Sequence, residues 1–420
     1  MTGLLVLGGI FVLYALLASR LEHASVSAPM VFIAAGLVLG PSMTDLLHVQ
    51  IEQHLILQIT ELTLGVLLFA DAATLRLREL RADPALAGRL LGIGLPLTIL
   101  VGALVAYALD PSIGWAGAAL VASMLAATDT ALVIAVVSLS VVPARIRRAI
   151  NVESGLNDGI CTPFFTLFLA ATVSEEGLKA GSWAAHAAAE IALALVAGVM
   201  VGGLGGLLLS AARRRGWTSE ASEELAALAL ALLAYGGSVA IGGNGFVGAF
   251  VGGIAFGAST PAGERRAVHF VEDGALFSSF LVWTVFGAVF VGPVLTGPFV
   301  ATAVVYALLS LTVVRMIPVG IALIGSRLRP ATVLFVGWFG PRGLASVVFT
   351  LLALESLSGA GTEGTRILQV ATWTILLSVF LQGLTGRPLS NRYGRTVATW
   401  GPDVAEAVAV PDAPTRRRTL

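Results

Sequence analysis

The sequence predicts an all-α polytopic membrane protein, and three observations carry that expectation. Of 420 residues, 57% are hydrophobic and only 12% charged, with a mean hydropathy of +0.91; a soluble domain needs far more charge to cover its surface. Apolar blocks recur between turn or charge clusters, each near the roughly 20 residues a helix needs to cross a bilayer. The alternation of apolar and polar residues that marks a spanning strand is absent.

Taken in order, the blocks give thirteen spans: 3–19, 28–45, 55–73, 88–109, 115–138, 146–173, 183–212, 222–240, 242–258, 270–293, 297–325, 331–355 and 365–387. The first has no positive segment before it and Arg20 after it, so it reads as a retained span rather than a signal peptide. Only Gly242-Gly243-Asn244-Gly245 separates the eighth from the ninth.

Basic residues test this count, because cytoplasmic loops are enriched in them. One set of alternate loops carries Arg20; Arg76, Arg78, Arg81 and Arg89; Arg145, Arg147 and Arg148; Arg213, Arg214 and Arg215; Arg265 and Arg266; Arg327 and Arg329. The C-terminal segment adds Arg387, Arg392, Arg395, Arg416, Arg417 and Arg418, whereas the opposite loops hold Lys179 and Arg366 alone. The N-terminus is therefore expected outside, in the periplasm, and the C-terminus in the cytoplasm. All the basic residues but Lys179 are arginine, which hints at a GC-rich bacterial genome, and the expected location is a bacterial inner membrane. Residues 388–420 lack apolar periodicity and read as a disordered cytoplasmic tail.

Two spans depart from regular helix. Span five contains Ala127-Thr128-Asp129-Thr130, and span twelve contains Gly337, Gly340, Pro341, Arg342 and Gly343. Pro341 removes a backbone donor and the glycines relax the chain. Freed backbone groups are tolerated at membrane depth only against protein or a wet cavity. The two lie seven spans apart, an odd number, so their repeats have opposite orientation, and interrupted helices at matching places of inverted repeats point to a transporter's midplane site.

A charge near the bilayer centre costs about 3 kcal/mol or more on insertion scales, so such residues read as functional. Here they are Asp71 in span three, Asp129 in span five, Glu153 and Asp158 in span six, and Arg342 in span twelve. On a helix Ser154 and Asp158 share one stripe, and Glu153 and Asn157 the next. Carboxylate, hydroxyl and unwound carbonyl oxygens at Asp158, Ser154 and Thr128 suit a small hard cation. Burial raises a carboxylate's proton affinity and a bound cation lowers it, so one aspartate holds a proton or a metal ion in turn. Arg342 is expected to pair with Glu153 and pin span six to span twelve.

Other charges have plainer readings. Arg315 is read as snorkelling to the cytoplasmic headgroups, Glu272 and Asp273 as acids at a helix start, and Glu190 and Glu355 as solvated. Glu61 reads as part of a wet helix face. Cys161 is read as a small core residue, and a lone cysteine excludes a disulfide framework. No cofactor, resident metal or nucleic-acid partner is expected.

The strings Thr128-Asp129, Glu153-Ser154-Gly155-Leu156-Asn157-Asp158-Gly159 and Gly340-Pro341-Arg342-Gly343 resemble the sodium/proton exchangers of the NhaP/NHE type, within the cation/proton antiporter superfamily. That resemblance implies a homodimer in lipid that exchanges Na+, or Li+, for H+, and no enzymatic activity. It implies a transmembrane domain over 1–387, with a moving core (88–173 and 297–387) and a dimerisation scaffold (3–73 and 183–293). It further implies that Asp158, Ser154, the Thr128 carbonyl and Asp71 hold the ion, that Asp129 helps through water, and that Asn157 steadies the crossing. Asp71 stands where many prokaryotic members have glutamate, and Asn157 where electrogenic relatives have a second aspartate. The latter leaves one fewer proton carrier and predicts electroneutral exchange. A K+/H+ antiporter of the same fold and, more remotely, a cation channel are the alternatives. An intramembrane serine protease would need a base near its nucleophile, and no histidine falls at midspan.

Overall fold

The computed structural model describes residues 2–46, 53–74, 84–129, 132, 139–173, 182–260, 266–357, 361–401 and 403–408. Span five beyond Asp129 apart from Leu132, the bases Arg76, Arg78, Arg81, Lys179 and Arg265, and residues 409–420 of the expected tail lie outside these. All regular structure among the described residues is helical. Nine described helices are long and apolar enough to cross a membrane, and Ala28–Leu39, Gly245–Ser259 and Leu344–Ser356 are shorter apolar helices. Every one of the predicted segments contains helix. The thin boundary at Gly242 is a true turn: Gly242 has φ +80°, which favours glycine, and the Asn244 carboxamide oxygen accepts from the Val247 N–H at 3.1 Å, capping the next helix.

Both expected interruptions are present. Gly114–Met124 ends before a non-helical stretch through Asp129, and Pro330–Trp338 is separated from Leu344–Ser356 by extended chain. Span six is one helix, Ala144–Val173. Span eleven, expected to be continuous, is also broken: Thr312 (φ −112°, ψ −89°) divides Ala301–Leu311 from Val313–Ala322.

The tail expected without structure begins as helix instead. Gly361–Ala398 runs well past residue 387. Leu389, Tyr393, Val397 and Trp400 pack on the cluster containing Phe335 and Ile146, a helical apolar stripe hidden among arginines.

The chain packs as two compact units. The first comprises Met1–Glu52, Asp83–Asn157 and Phe280–Leu420; the second comprises Gln53–Ala82 and Asp158–Ser279. Spans one and two pack in the unit that holds both interruptions. There Gly36 and Gly287 approach the backbone of Thr284 and Ile33 so closely that a Cβ would overlap it. In the second unit Gly253 and Gly257, one turn apart, meet the backbone at Phe69 and Ala73. Small residues allow such close approach where lipid offers no hydrophobic drive to helix pairing. Ala227, Ala231 and Ala234 continue that small-residue surface.

Candidate functional site

In the first unit the two interruptions bind each other. The Asp129 N–H donates to the Pro341 carbonyl at 2.9 Å, and an Asp129 carboxylate oxygen accepts from the Leu344 N–H at 3.1 Å. Leu344 opens the Leu344–Ser356 helix, so Asp129 lies at its positive end, where an anion is favoured. The Ser346 hydroxyl donates to the Met124 carbonyl at 2.7 Å, closing the last turn of the facing helix. The crossing is tight: a Cβ on Gly343 would overlap the Asp129 side chain.

Span six completes the network. The Asn157 amide donates to the Ala126 carbonyl (3.1 Å) and the Thr128 hydroxyl (3.1 Å), while that hydroxyl donates to the Ser154 hydroxyl (3.3 Å). Asn157 also reaches Glu153 at 3.4 Å. Unwound carbonyls at membrane depth need such partners, and a carboxamide supplies donors without charge. Thr128, Ser154 and Asn157 are all buried.

Glu153 is paired, but with a different arginine from the one expected. Arg315 donates from both terminal nitrogens to the two carboxylate oxygens at 2.8 and 2.9 Å, and the side chains are 3% and 1% exposed. Arg342 instead donates its backbone N–H to the Ser378 hydroxyl at 2.7 Å and points its guanidinium at the carbonyl and hydroxyl of Ser310, each at 3.4 Å. The snorkelling reading of Arg315 and the Arg342–Glu153 pairing are both overturned. The cause is depth: Arg315 follows the break at Thr312 and precedes the helix end at Ala322 by seven residues, about 10 Å at 1.5 Å per residue. It also packs against Gly340, where a Cβ would stand 2.6 Å from its Nε. That depth was present in the sequence.

Further polar residues carry the broken span twelve. The Ser378 hydroxyl donates to the Gln382 amide oxygen at 2.6 Å, and the Gln382 amide donates to the Trp338 carbonyl at 2.6 Å. The half-helix Pro330–Trp338 is therefore held at its inner end by the last helix. Ser310, Ser346, Ser378 and Gln382 are legible in the sequence as uncharged polar residues in apolar runs, a weaker signal than a buried charge.

Asp158 and Asp71 belong to the second unit. Asp158 lies one turn beyond Ser154 on the same helix and is 7% exposed. Its carbonyl accepts from the Thr162 hydroxyl at 2.9 Å. The following Gly159 gives Phe250 room that a Cβ would take. Asp71 is half-buried near the end of Gln53–Thr74. Glu61, half-buried on that helix as a partly wet face would have it, also accepts from the Tyr235 hydroxyl at 3.0 Å. Cys161 is buried. Among the described residues no three His, Cys, Asp or Glu side chains form a metal-binding group. What the first unit offers chemically is hydroxyl and carbonyl oxygens in a dry, hydrogen-bonded crossing, one turn along span six from a buried carboxylate.

Known proteins resemble this chain over most of its length. The family model described as "Sodium/hydrogen exchanger, transmembrane" matches residues 7–392. A Na(+)/H(+) antiporter of Schizosaccharomyces pombe is 27% identical over 316 residues, covering 68% of this chain and 67% of the relative. A second protein of that yeast, a probable Na(+)/H(+) antiporter, is 26% identical over 275 residues, 60% of this chain and 35% of its own length. The solved sodium proton antiporter MjNhaP1 from Methanocaldococcus jannaschii at pH 8 superposes with a TM-score of 0.75 at 20% identity, covering 93% of this chain and 98% of that one. That likeness fixes the fold.

Proposed function

The chain belongs to the sodium/hydrogen exchanger family, and we infer from this that it is a secondary antiporter exchanging a monovalent cation, Na+ first, for H+ across the membrane that its apolar helices span. The observation that carries the residue-level reading is the hydrogen-bonded crossing of two interrupted helices, tied through Asn157 and Ser154 to the helix that also carries Asp158.

Asp158 is the group occupied alternately by the proton and the cation. A buried carboxylate without a cation favours its proton; a sodium ion at the same oxygens repels it. Competition for one carboxylate couples the fluxes when the group faces each side in turn. Ser154, one turn back, and Thr128, hydrogen-bonded to Ser154, add neutral oxygens of the type sodium takes in place of water, and Asp71 is assigned as a further oxygen ligand on the resemblance. The network explains why these oxygens stay in register: Asn157 ties span six to the unwound chain, and Asp129 ties that chain to span twelve. The Glu153–Arg315 pair is internally neutral and buried, so it braces the structure without being transported.

One carboxylate shared by one proton and one monovalent cation makes the exchange electroneutral. The working unit is a homodimer in lipid, with its N-terminus outside and its C-terminus in the cytoplasm of a bacterial inner membrane. In proteoliposomes, an inward sodium gradient should drive proton efflux at a rate insensitive to an imposed potential, and Asp158→Asn should abolish it. Voltage-tracking rates would remove electroneutrality; exchange by Asp158→Asn would remove the assignment of the carrier.

A further inference from the structure

The half-helix Pro330–Trp338 has one end at the crossing, and its other end is capped from a distant part of the chain. Its N-cap residue is Arg329, whose side chain makes no cap hydrogen bond, leaving backbone donors at that end to find partners. Glu406 supplies one. One carboxylate oxygen accepts from the Arg329 N–H at 2.8 Å and from the Thr332 hydroxyl at 2.7 Å, and the residue is 1% exposed. A carboxylate there also meets the positive end of the helix dipole.

Independent contacts hold Glu406 in place. Arg145 donates to the Ala405 carbonyl at 2.6 Å, and the Arg329 guanidinium lies 4.6 Å over the Trp400 ring. Tyr393 stacks on Phe335 at 4.2 Å between centroids, and its hydroxyl lies 3.0 Å from that of Thr332. Arg145 is in the first turn of the helix that carries Glu153, Ser154 and Asp158. The C-terminal segment therefore fastens the outer ends of the two helices whose inner parts meet at the crossing.

We propose that Glu406 is a positioning residue for the exchange site. Resting on the exchange reading above, this role of Glu406 is one of leverage. A short helix is held inside by Gln382 and outside by Glu406; without the outer hold it can slide or tilt along its axis. The extended chain after Trp338 moves with it, including the Pro341 carbonyl that binds Asp129. Displacement of Asp129 disturbs its neighbour Thr128 and so loosens the cation oxygens.

The test compares sodium-driven proton movement by the full chain in proteoliposomes for wild type, Glu406→Ala, Glu406→Gln and Thr332→Val. Loss of positioning weakens cation binding, so Glu406→Ala should raise the sodium KM about threefold or more while kcat at saturating sodium stays within about twofold. Glu406→Gln keeps an oxygen acceptor for both donors and should restore a KM near wild type. Thr332→Val, which removes one donor only, should fall between them and serves alone if Glu406→Ala does not fold. A lower folded yield or kcat with unchanged KM would make Glu406 merely structural and overturn the proposal, as would no change at all. A wild-type protein that moves no protons in response to sodium would overturn the exchange reading itself, and the proposal with it.

Discussion

Removing Arg315 should cost several kcal/mol of stability, and the structure sets the scale. Its two nitrogens lie 2.8 and 2.9 Å from the Glu153 oxygens, in a site where neither side chain sees solvent. Two unit charges about 4 Å apart interact by about 4 kcal/mol at an effective dielectric near 20. Breaking a buried pair from one side typically costs about 3–5 kcal/mol, because the remaining charge is stranded. In Arg315→Met, Glu153 would lose its charged partner and keep the Asn157 amide at 3.4 Å. Adding Glu153→Gln removes the stranded charge, so the double variant should recover most of the loss. A double-mutant cycle by equilibrium unfolding in detergent should give about 3 kcal/mol of coupling between Arg315 and Glu153. The cycle between Arg342 and Glu153 should stay within about 0.5 kcal/mol, as for groups without a shared contact. Coupling to Arg342 equal to that with Arg315 would refute the pairing.

Other expectations follow from single contacts. Gly343→Ala places a methyl group on the Asp129 side chain, so it should lose exchange and about 1–3 kcal/mol of stability, read by transport and unfolding together; wild-type behaviour in both would mean the crossing is looser than described. Ser346→Ala removes the hydroxyl that reaches the Met124 carbonyl and should cost about 1 kcal/mol in the same unfolding assay. Outside the spans, burial pushes the Asp110 carboxyl up, but hydrogen bonds from the Ser112 hydroxyl, Arg366 and the Ser112 N–H, with the Arg366 charge, outweigh it and hold the group below its ordinary value. A lowered folded pKa stabilises the protein above the ordinary aspartate range and is lost as the pH falls through the folded value. Asp110→Asn should therefore flatten a small acid-side stability loss, small because Arg366 is 47% exposed, as melting curves from neutral to acid pH would show.

Much of this was legible because lipid makes polarity informative. Helical segments, both interruptions and the turn at Gly242 could be read from apolar length and from proline and glycine positions. Asp129, Glu153 and Asp158 stood out because charge is expensive inside a membrane. Partner choice was not legible. Arg315 and Arg342 are chemically equivalent in a one-dimensional reading, and only the break at Thr312 and the space over Gly340 assign Glu153 to Arg315. Tyr393 was missed because Arg392 and Arg395 beside it mask an apolar stripe, and Glu406 because the helix it caps begins 76 residues earlier. Capping from so far along the chain has no local signature.

The sharpest measurement is proton release from purified protein in weakly buffered detergent on addition of sodium. If a single buried carboxylate hosts either ion, about one proton should leave for each sodium bound, and none should leave from Asp158→Asn. Unchanged release from that variant would contradict the account.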